Sequence, residues 1–186
     1  MSPAPIQPPL NPDWNEIWKA RQSLHSSSKH FDDPSHNWNR RENAERYDST
    51  SRSEYDDRVQ ITIAGLDITK NSRVLDIGAG PGTLAIPLAP RVKEVTAVEP
   101  GAGMIFVLNE RARREGITNI TCIQKRWEDI DPASDLDGQY DIVIASLSLT
   151  MEDIRQALQK MDAASCDAVY LFWFVDMPFW EKMYAD

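Results

Sequence analysis

The run Val74-Leu75-Asp76-Ile77-Gly78-Ala79-Gly80-Pro81-Gly82 constrains the fold of this chain more than any other stretch. A short apolar segment that ends in a carboxylate and opens into three alternate glycines reads as a buried parallel strand with a sharp turn at its carboxyl end. Open α/β sheets bind their ligands at such ends. Glycine suits the turn because a Cβ obstructs both a positive φ and the close approach of a ligand to the main chain. A helix is expected next, from Thr83 through Leu84, Ala85, Ile86 and Leu88.

The spacing disfavours a dinucleotide. That fingerprint places its third glycine three residues after the second, where this chain has Thr83. Asp76 would also set negative charge beside an anionic pyrophosphate, so a cationic ligand group suits the turn better. Glu94-Val95-Thr96-Ala97-Val98-Glu99-Pro100 reads as a second strand, again closed by a carboxylate. Glu99 follows the first glycine by about 20 residues, the spacing at which an acidic side chain holds both hydroxyls of a ribose. The ligand is therefore read as a nucleoside.

Strand and helix continue to alternate. Met104, Ile105 and Leu108 mark a helix running to Arg114 and ended by Gly116. A third strand spans Ile120 to Gln124, Asp137-Gly138 makes a turn, and Tyr140 to Ser146 forms the fourth strand. Thr150 with Asp153 offers a capping box before a helix carrying Ile154, Leu158 and Met161, and Ala168 to Val175 is the fifth strand. This order predicts an α/β fold: a doubly wound, mainly parallel sheet with helices on both faces and right-handed crossovers.

From Arg73 to Val175 the chain resembles the class I S-adenosylmethionine-dependent methyltransferase family. The resemblance rests on Asp76-x-Gly78-x-Gly80-x-Gly82, on Glu99-Pro100, on Trp127-Glu128-Asp129 after the third strand and on Ala145-Ser146 after the fourth. It implies S-adenosylmethionine as cofactor, with Gly78, Ala79, Gly80 and Gly82 shaping the pocket for the methionine moiety and Asp76 near its ammonium. It further implies Glu99 and Pro100 at the ribose, Met104 against the adenine, and Glu128 or Asp129 at the adenine amino group beside Trp127, where Arg126 takes the position of the usual Asp. Ser146 completes the candidate set. The family fold adds two further strands, so the chain is read as a truncated domain whose fifth strand is an edge able to pair with a second copy.

Residues 1–12 hold Pro3, Pro5, Pro8, Pro9 and Pro12 and are read as a mobile tail; residues 13–70 are read as an N-terminal helical cover and 71–186 as the cofactor-binding α/β domain. Within the cover, Asp13 to Glu16 has the form of a capping box, with Trp14, Ile17 and Trp18 on one face. Ser23 to Asn37 is a polar loop or lid. Trp38 to Tyr47 and Ser53 to Leu66 read as helices, the second with Tyr55, Val59, Thr62, Ile63 and Leu66 at helical spacing. Tyr47 is assigned to the ligand cover. After Pro178 a last helix is expected to carry Trp180, Met183 and Tyr184.

Composition narrows the partners. A formal net charge of -9 argues against a nucleic-acid duplex, whose phosphates demand clustered Lys and Arg. Arg111, Arg113 and Arg114 are the clearest basic cluster and read as a solvated helix end that favours the macrodipole. A small-molecule methyl acceptor is the expectation, with no nucleic acid and no membrane partner. Cys122 and Cys166 read as buried, unreactive thiols of a reducing compartment, and a cytoplasmic location is expected. His25, His30 and His36 lie five and six residues apart, fit no zinc pair, and are read as loop side chains, so no metal is expected. No general base is assignable. The rival readings are a catalytically inactive regulatory or scaffold protein that binds the same cofactor, and a nicotinamide-dependent dehydrogenase.

Overall fold

A computed structural model describes residues 12–27, 37–54 and 56–173. Its centre is a five-stranded, wholly parallel sheet: β1 (Arg73–Ile77), β2 (Glu94–Val98), β3 (Ile120–Ile123), β4 (Tyr140–Ser146) and β5 (Ser165–Phe172), in the order β3-β2-β1-β4-β5. The order reverses at β1, so the crevice beside its carboxyl end is the topological switch point. Helices α1 (Trp14–Ser27), α2 (Arg41–Glu54), α3 (Asp56–Ala64), α4 (Ala85–Leu88), α5 (Ala102–Arg114), α6 (Pro132–Asp135) and α7 (Ile154–Ala164) surround it.

Strand alternation sorts the core into two layers. Val74, Val95, Ala97, Ile142 and Ile144 face one side, where Val59, Ile63 and Leu66 of the α3 region, Leu88 of α4 and Leu108 of α5 meet them. Leu75, Ile77, Val98, Val143 and Ala145 face the other, against Trp127, Ala157 and Met161. Both faces are covered, which is why these strands read as nearly unbroken apolar runs.

Several boundaries depart from the sequence reading. Helix α4 is a single turn because Pro87 and Pro90 remove donors from the ladder, and the chain tightens into a 3-10 turn over Ala89–Arg91. β5 begins at Ser165, directly after α7, three residues before the expected Ala168. Asp153 is itself the N-cap of α7 and accepts from the Gln156 amide at 2.9 Å, so Thr150 is not the cap. Helix α1 runs on to Ser27, into the stretch read as a loop.

The capping box of α1 is also incomplete: Asp13 accepts from the Asn15 amide at 3.0 Å, while the Glu16 carboxylate turns to Lys19. Trp14 and Ile17 are exposed. The helix docks instead through Trp18, whose indole donates to the Met151 carbonyl at 2.8 Å, and through buried Asn15, whose side-chain oxygen accepts from the Arg155 amide at 2.9 Å. That amide lies in the first turn of α7 and has no partner within its own helix, so a polar contact outweighs the apolar stripe.

At the amino end of the sheet, Arg73 gathers three strands. Its amide donates to Asp141 of β4, and its guanidinium donates to Glu94 of β2 and to the carbonyls of Asp137 and Gln139, while lying over the Tyr140 ring. β5 pairs only with β4 among the described residues, and Leu171 and Trp173 are exposed beside it. Cys166 is also exposed and Cys122 half-buried, which corrects the expectation of two buried thiols; burial raises the Cys122 thiol above its ordinary range. The proline tail, the central part of the polar stretch, Tyr55, His30, His36 and the expected terminal helix lie outside the described residues.

Candidate functional site at the tips of strands β1, β2 and β4

Asp76 points to the same side of β1 as Val74 and is 2% exposed. Its Oδ2 is buried with no hydrogen-bond partner among the described residues. Burial, and then the neighbouring Glu99 carboxylate, push its carboxyl up to about 7, against an opposing contribution from the Ala85 amide. An orphaned acceptor in so dry a place awaits a donor.

The turn that follows is held by both neighbouring strands. The amides of Gly78 and Ala79 donate to the Val98 carbonyl at the end of β2, at 2.8 and 3.2 Å. Gly78 has a φ of 71°, and a Cβ there would meet the Ser148 Cβ at 2.3 Å. Ser148 is itself fixed by donating to the Ile77 carbonyl at 2.6 Å. Gly80 differs: its φ is 56°, yet a Cβ would meet nothing within 4 Å. Gly78 is required by packing within the protein, whereas Gly80 opens onto free space.

Glu99 stands across that space. Its Oε2 accepts from the Gly80 amide at 3.0 Å and its Oε1 from the Gly101 amide at 2.7 Å. Burial still raises its carboxyl above the ordinary range, although both amides pull it down. Gly101 is the N-cap of α5 and has no side chain to give, so Asn39 supplies the cap, accepting from the Ala102 amide at 2.9 Å.

The segment bearing Asn39 closes this end. Trp38 packs with Ala44, Met104 and Val107, and side chains at Gly101 or Gly103 would strike the Trp38 and Arg40 backbone. Tyr47, 37% exposed, meets the Trp38 ring edge-on at 5.2 Å between centroids. Deeper in, Arg111 of α5 donates to Asp48 of α2 at 2.8 Å and to the Pro81 carbonyl in the glycine turn at 3.3 Å. Arg111 is buried rather than solvated, because α2 covers it; Arg113 and Arg114 remain exposed.

The other candidates lie apart. Trp127 is buried in the core facing α7 and its indole donates to the Ala157 carbonyl at 3.1 Å, so its ring is held within the core. Lys160 holds the turn around it by donating to the carbonyls of Trp127, Glu128 and Ile130. The Glu128 carboxylate pairs with Arg126 at 3.4 Å. Ser146, at the tip of β4, accepts from Arg58 of α3 at 3.5 Å, and the next residue, Leu147, has a φ of 57°. Thus Asp76, Gly78, Ala79, Gly80 and Glu99 form one connected group, with Met104 and Tyr47 under or beside the Trp38 cover. Asn39, Asp48, Arg58 and Ser148 were not legible in the sequence, since each acts on a partner far along the chain. Among the described residues no cluster of His, Cys, Asp and Glu suits a metal ion.

Residues 74–177 match the family model described as a methyltransferase domain, which is more than half of the chain. The chain belongs to the class I S-adenosylmethionine-dependent methyltransferase family. This methyltransferase domain is 32% identical over 112 residues to an uncharacterised protein of Haemophilus influenzae, covering 60% of the chain and 41% of that protein. It is 33% identical over 93 residues to a probable ribosomal RNA small subunit methyltransferase A of Methanosphaera stadtmanae, covering 50% of the chain and 32% of the relative. The chain thus spans less than half the length of these relatives. The fold is similar to that of a putative S-adenosyl-L-methionine-dependent methyltransferase of Methanococcus maripaludis, with a TM-score of 0.59 at 19% identity over 70% of the chain and 62% of that structure. The family's cofactor, S-adenosylmethionine, fits this cleft: a cationic ligand group answers the orphaned oxygen of Asp76, and the space above Gly80 admits a ligand to the main chain.

Proposed function

We propose that this domain binds S-adenosylmethionine across the tips of β1 and β2 and directs its methyl group to a small-molecule acceptor near the tip of β4. One observation carries the reading: the open backbone at Gly80 lies between two buried carboxyl groups, one with an oxygen left unpaired. In this reading Asp76 takes the ammonium, Gly78, Ala79, Gly80 and Gly82 the methionine moiety, and Glu99 with Pro100 the ribose. Met104 borders the adenine, Glu128 or Asp129 serves its amino group beside the Trp127 main chain, and Tyr47 with Trp38 forms part of the cover that residues 13–70 provide.

When bound, the cofactor supplies an activated methyl on a good neutral leaving group. The protein's own task is then alignment and the exclusion of water, not covalent catalysis. Burial of Asp76 and Glu99 supports this, since carboxylates in a dry cleft attract a cation far more strongly than they would in water. The net charge of -9 supports a small acceptor over an RNA one, although a relative is named for ribosomal RNA methylation. No helix among the described residues is long and apolar enough to cross a membrane. Two free thiols suit a cytoplasmic setting, and the β5 edge suits a second copy as partner, which size-exclusion chromatography over a concentration range will check.

Calorimetric titration with S-adenosylmethionine, S-adenosylhomocysteine and NAD tests the reading. Binding of the first two alone is expected, and their failure at millimolar concentration would sink it. Labelled methyl transfer to small-molecule pools and to ribosomal RNA separates the acceptors and also separates an enzyme from an inactive binder. Tyr47→Ala is expected to weaken cofactor binding; unchanged affinity removes Tyr47 from the site.

A further inference from the structure

We infer that Ser148 is a positioning residue for the methyl donor: its side chain sets the glycine turn that receives the donor's amino-acid end, an assignment that rests on the methyltransferase reading and deepens it. β1 and β4 stay in register as far as Ile77 and Ala145. Past that pair the backbone of β4 turns away, for Leu147 has a φ of 57° and its amide donates to the Phe172 carbonyl of β5 at 3.0 Å. The Ile77 carbonyl takes the Ser148 hydroxyl instead, at 2.6 Å and across 71 positions of the chain. A side chain thus continues the link where the ladder between the strands stops.

The same side chain walls the turn. A Cβ on Gly78 would run into the Ser148 Cβ, so the Gly78 main chain rests directly against Ser148. On the other flank Gly78 is held by main chain, its amide and that of Ala79 donating to the Val98 carbonyl. Gly78 stands midway between Asp76, whose Oδ2 has no partner among the described residues, and Gly80, whose open face admits a ligand. Any drift of Gly78 therefore moves the carboxyl group and the bare backbone relative to each other. Ser148 is braced from behind: the Thr150 amide donates to its carbonyl at 2.9 Å, Leu149 and Met151 are buried, and the Met151 carbonyl accepts from the Trp18 indole of α1 at 2.8 Å. Binding groups are kept in productive geometry by supporting residues that are themselves locked in this way. A hydroxyl that only satisfied a buried carbonyl would, on removal, lower stability and weaken every ligand alike. A positioning role has another signature, because only the part of the ligand seated on the turn loses its grip.

The test compares two ligands by calorimetry on the full chain: S-adenosylhomocysteine, and 5′-methylthioadenosine, which keeps the adenosine and lacks the amino-acid end. In Ser148→Ala the first is expected to bind about tenfold more weakly, the effect of one hydrogen bond lost at a buried acceptor. The second is expected to stay within about twofold, since its contacts lie away from the altered turn. Ser148→Cys keeps a weak donor on a side chain of similar shape and is expected to fall between wild type and Ser148→Ala. Unchanged S-adenosylhomocysteine affinity in Ser148→Ala, or an equal fall for both ligands, would overturn the inference while leaving the cofactor site standing. Should Ser148→Ala fail to fold, the ratio of the two affinities in Ser148→Cys decides: a ratio shifted against S-adenosylhomocysteine supports the positioning role, and the wild-type ratio overturns it. Failure of S-adenosylhomocysteine to bind wild type would remove the cofactor reading and this inference together.

Discussion

The tips of β1 and β2 and the tip of β4 lie side by side on one sheet, yet they are built on opposite plans. At β1 and β2 the charges are negative and buried, the main chain is bare, and a helical segment from far upstream is bolted over the top by the Asp48–Arg111 pair. At β4 the side chains are hydroxyls, the charge is positive and only half-buried, and the backbone itself is strained at Leu147. The first plan suits a ligand common to a whole family, held by parts that cannot vary much. The second suits a ligand peculiar to one member, held by side chains that can change without disturbing the sheet.

Breaking the bolt is the harshest trial of this contrast. Arg111→Gln removes the buried ion pair between Arg111 and Asp48, and urea unfolding should show a loss of about 3–5 kcal/mol. A loss below about 1 kcal/mol, the range of exposed pairs, would mean that the cover is not anchored there. Next comes a comparison within the glycine turn. Gly78→Ala forces its methyl into Ser148 as well as a left-handed backbone, and should destabilise by about 2–4 kcal/mol. Gly80→Ala meets only the backbone penalty of about 1 kcal/mol, and should instead weaken S-adenosylmethionine binding about tenfold, since its methyl enters the ligand's space. Equal effects on both readouts would merge the two glycines into one structural role.

Acidity sharpens the contrast further. The folded state holds the Asp76 carboxyl at about 7, above its ordinary 3.8, so folding favours the protonated form. Its contribution to stability is complete below 3.8 and is lost as pH rises toward 7. A cationic ligand reverses the preference, so S-adenosylmethionine affinity should strengthen with rising pH up to about 7, by at most about tenfold per unit. Asp76→Asn should bind more weakly and flatten this dependence; a wild-type affinity that ignores pH would dissociate Asp76 from the ligand. The smallest effect belongs to β4: Leu147→Gly should stabilise by about 1 kcal/mol by relieving a left-handed leucine, without altering cofactor affinity.

What the sequence disclosed follows the same division. The Asp76-to-Gly82 run and Glu99 are local signals, because a turn and a strand end are made by neighbours in the chain. Strands β1, β2 and β4 were visible because burial on both faces leaves no polar alternation to confuse them. Contacts across long separations were hidden: Arg111 looked like a solvated helix end until α2 covered it, and nothing near Arg58 in the chain announces Ser146, 88 positions away. Trp14 and Ile17 misled for the converse reason, since their apolar spacing was real while the docking of α1 was decided by Asn15 and Trp18.

Arg73 binds the sheet like the spine of a book. By clasping β2, β4 and the loop before β4 at the margin opposite the cleft, it lets the far margin be rewritten without the leaves coming loose. Residues at the carboxyl ends of the strands can therefore be exchanged on a scaffold whose alignment is secured at the opposite margin.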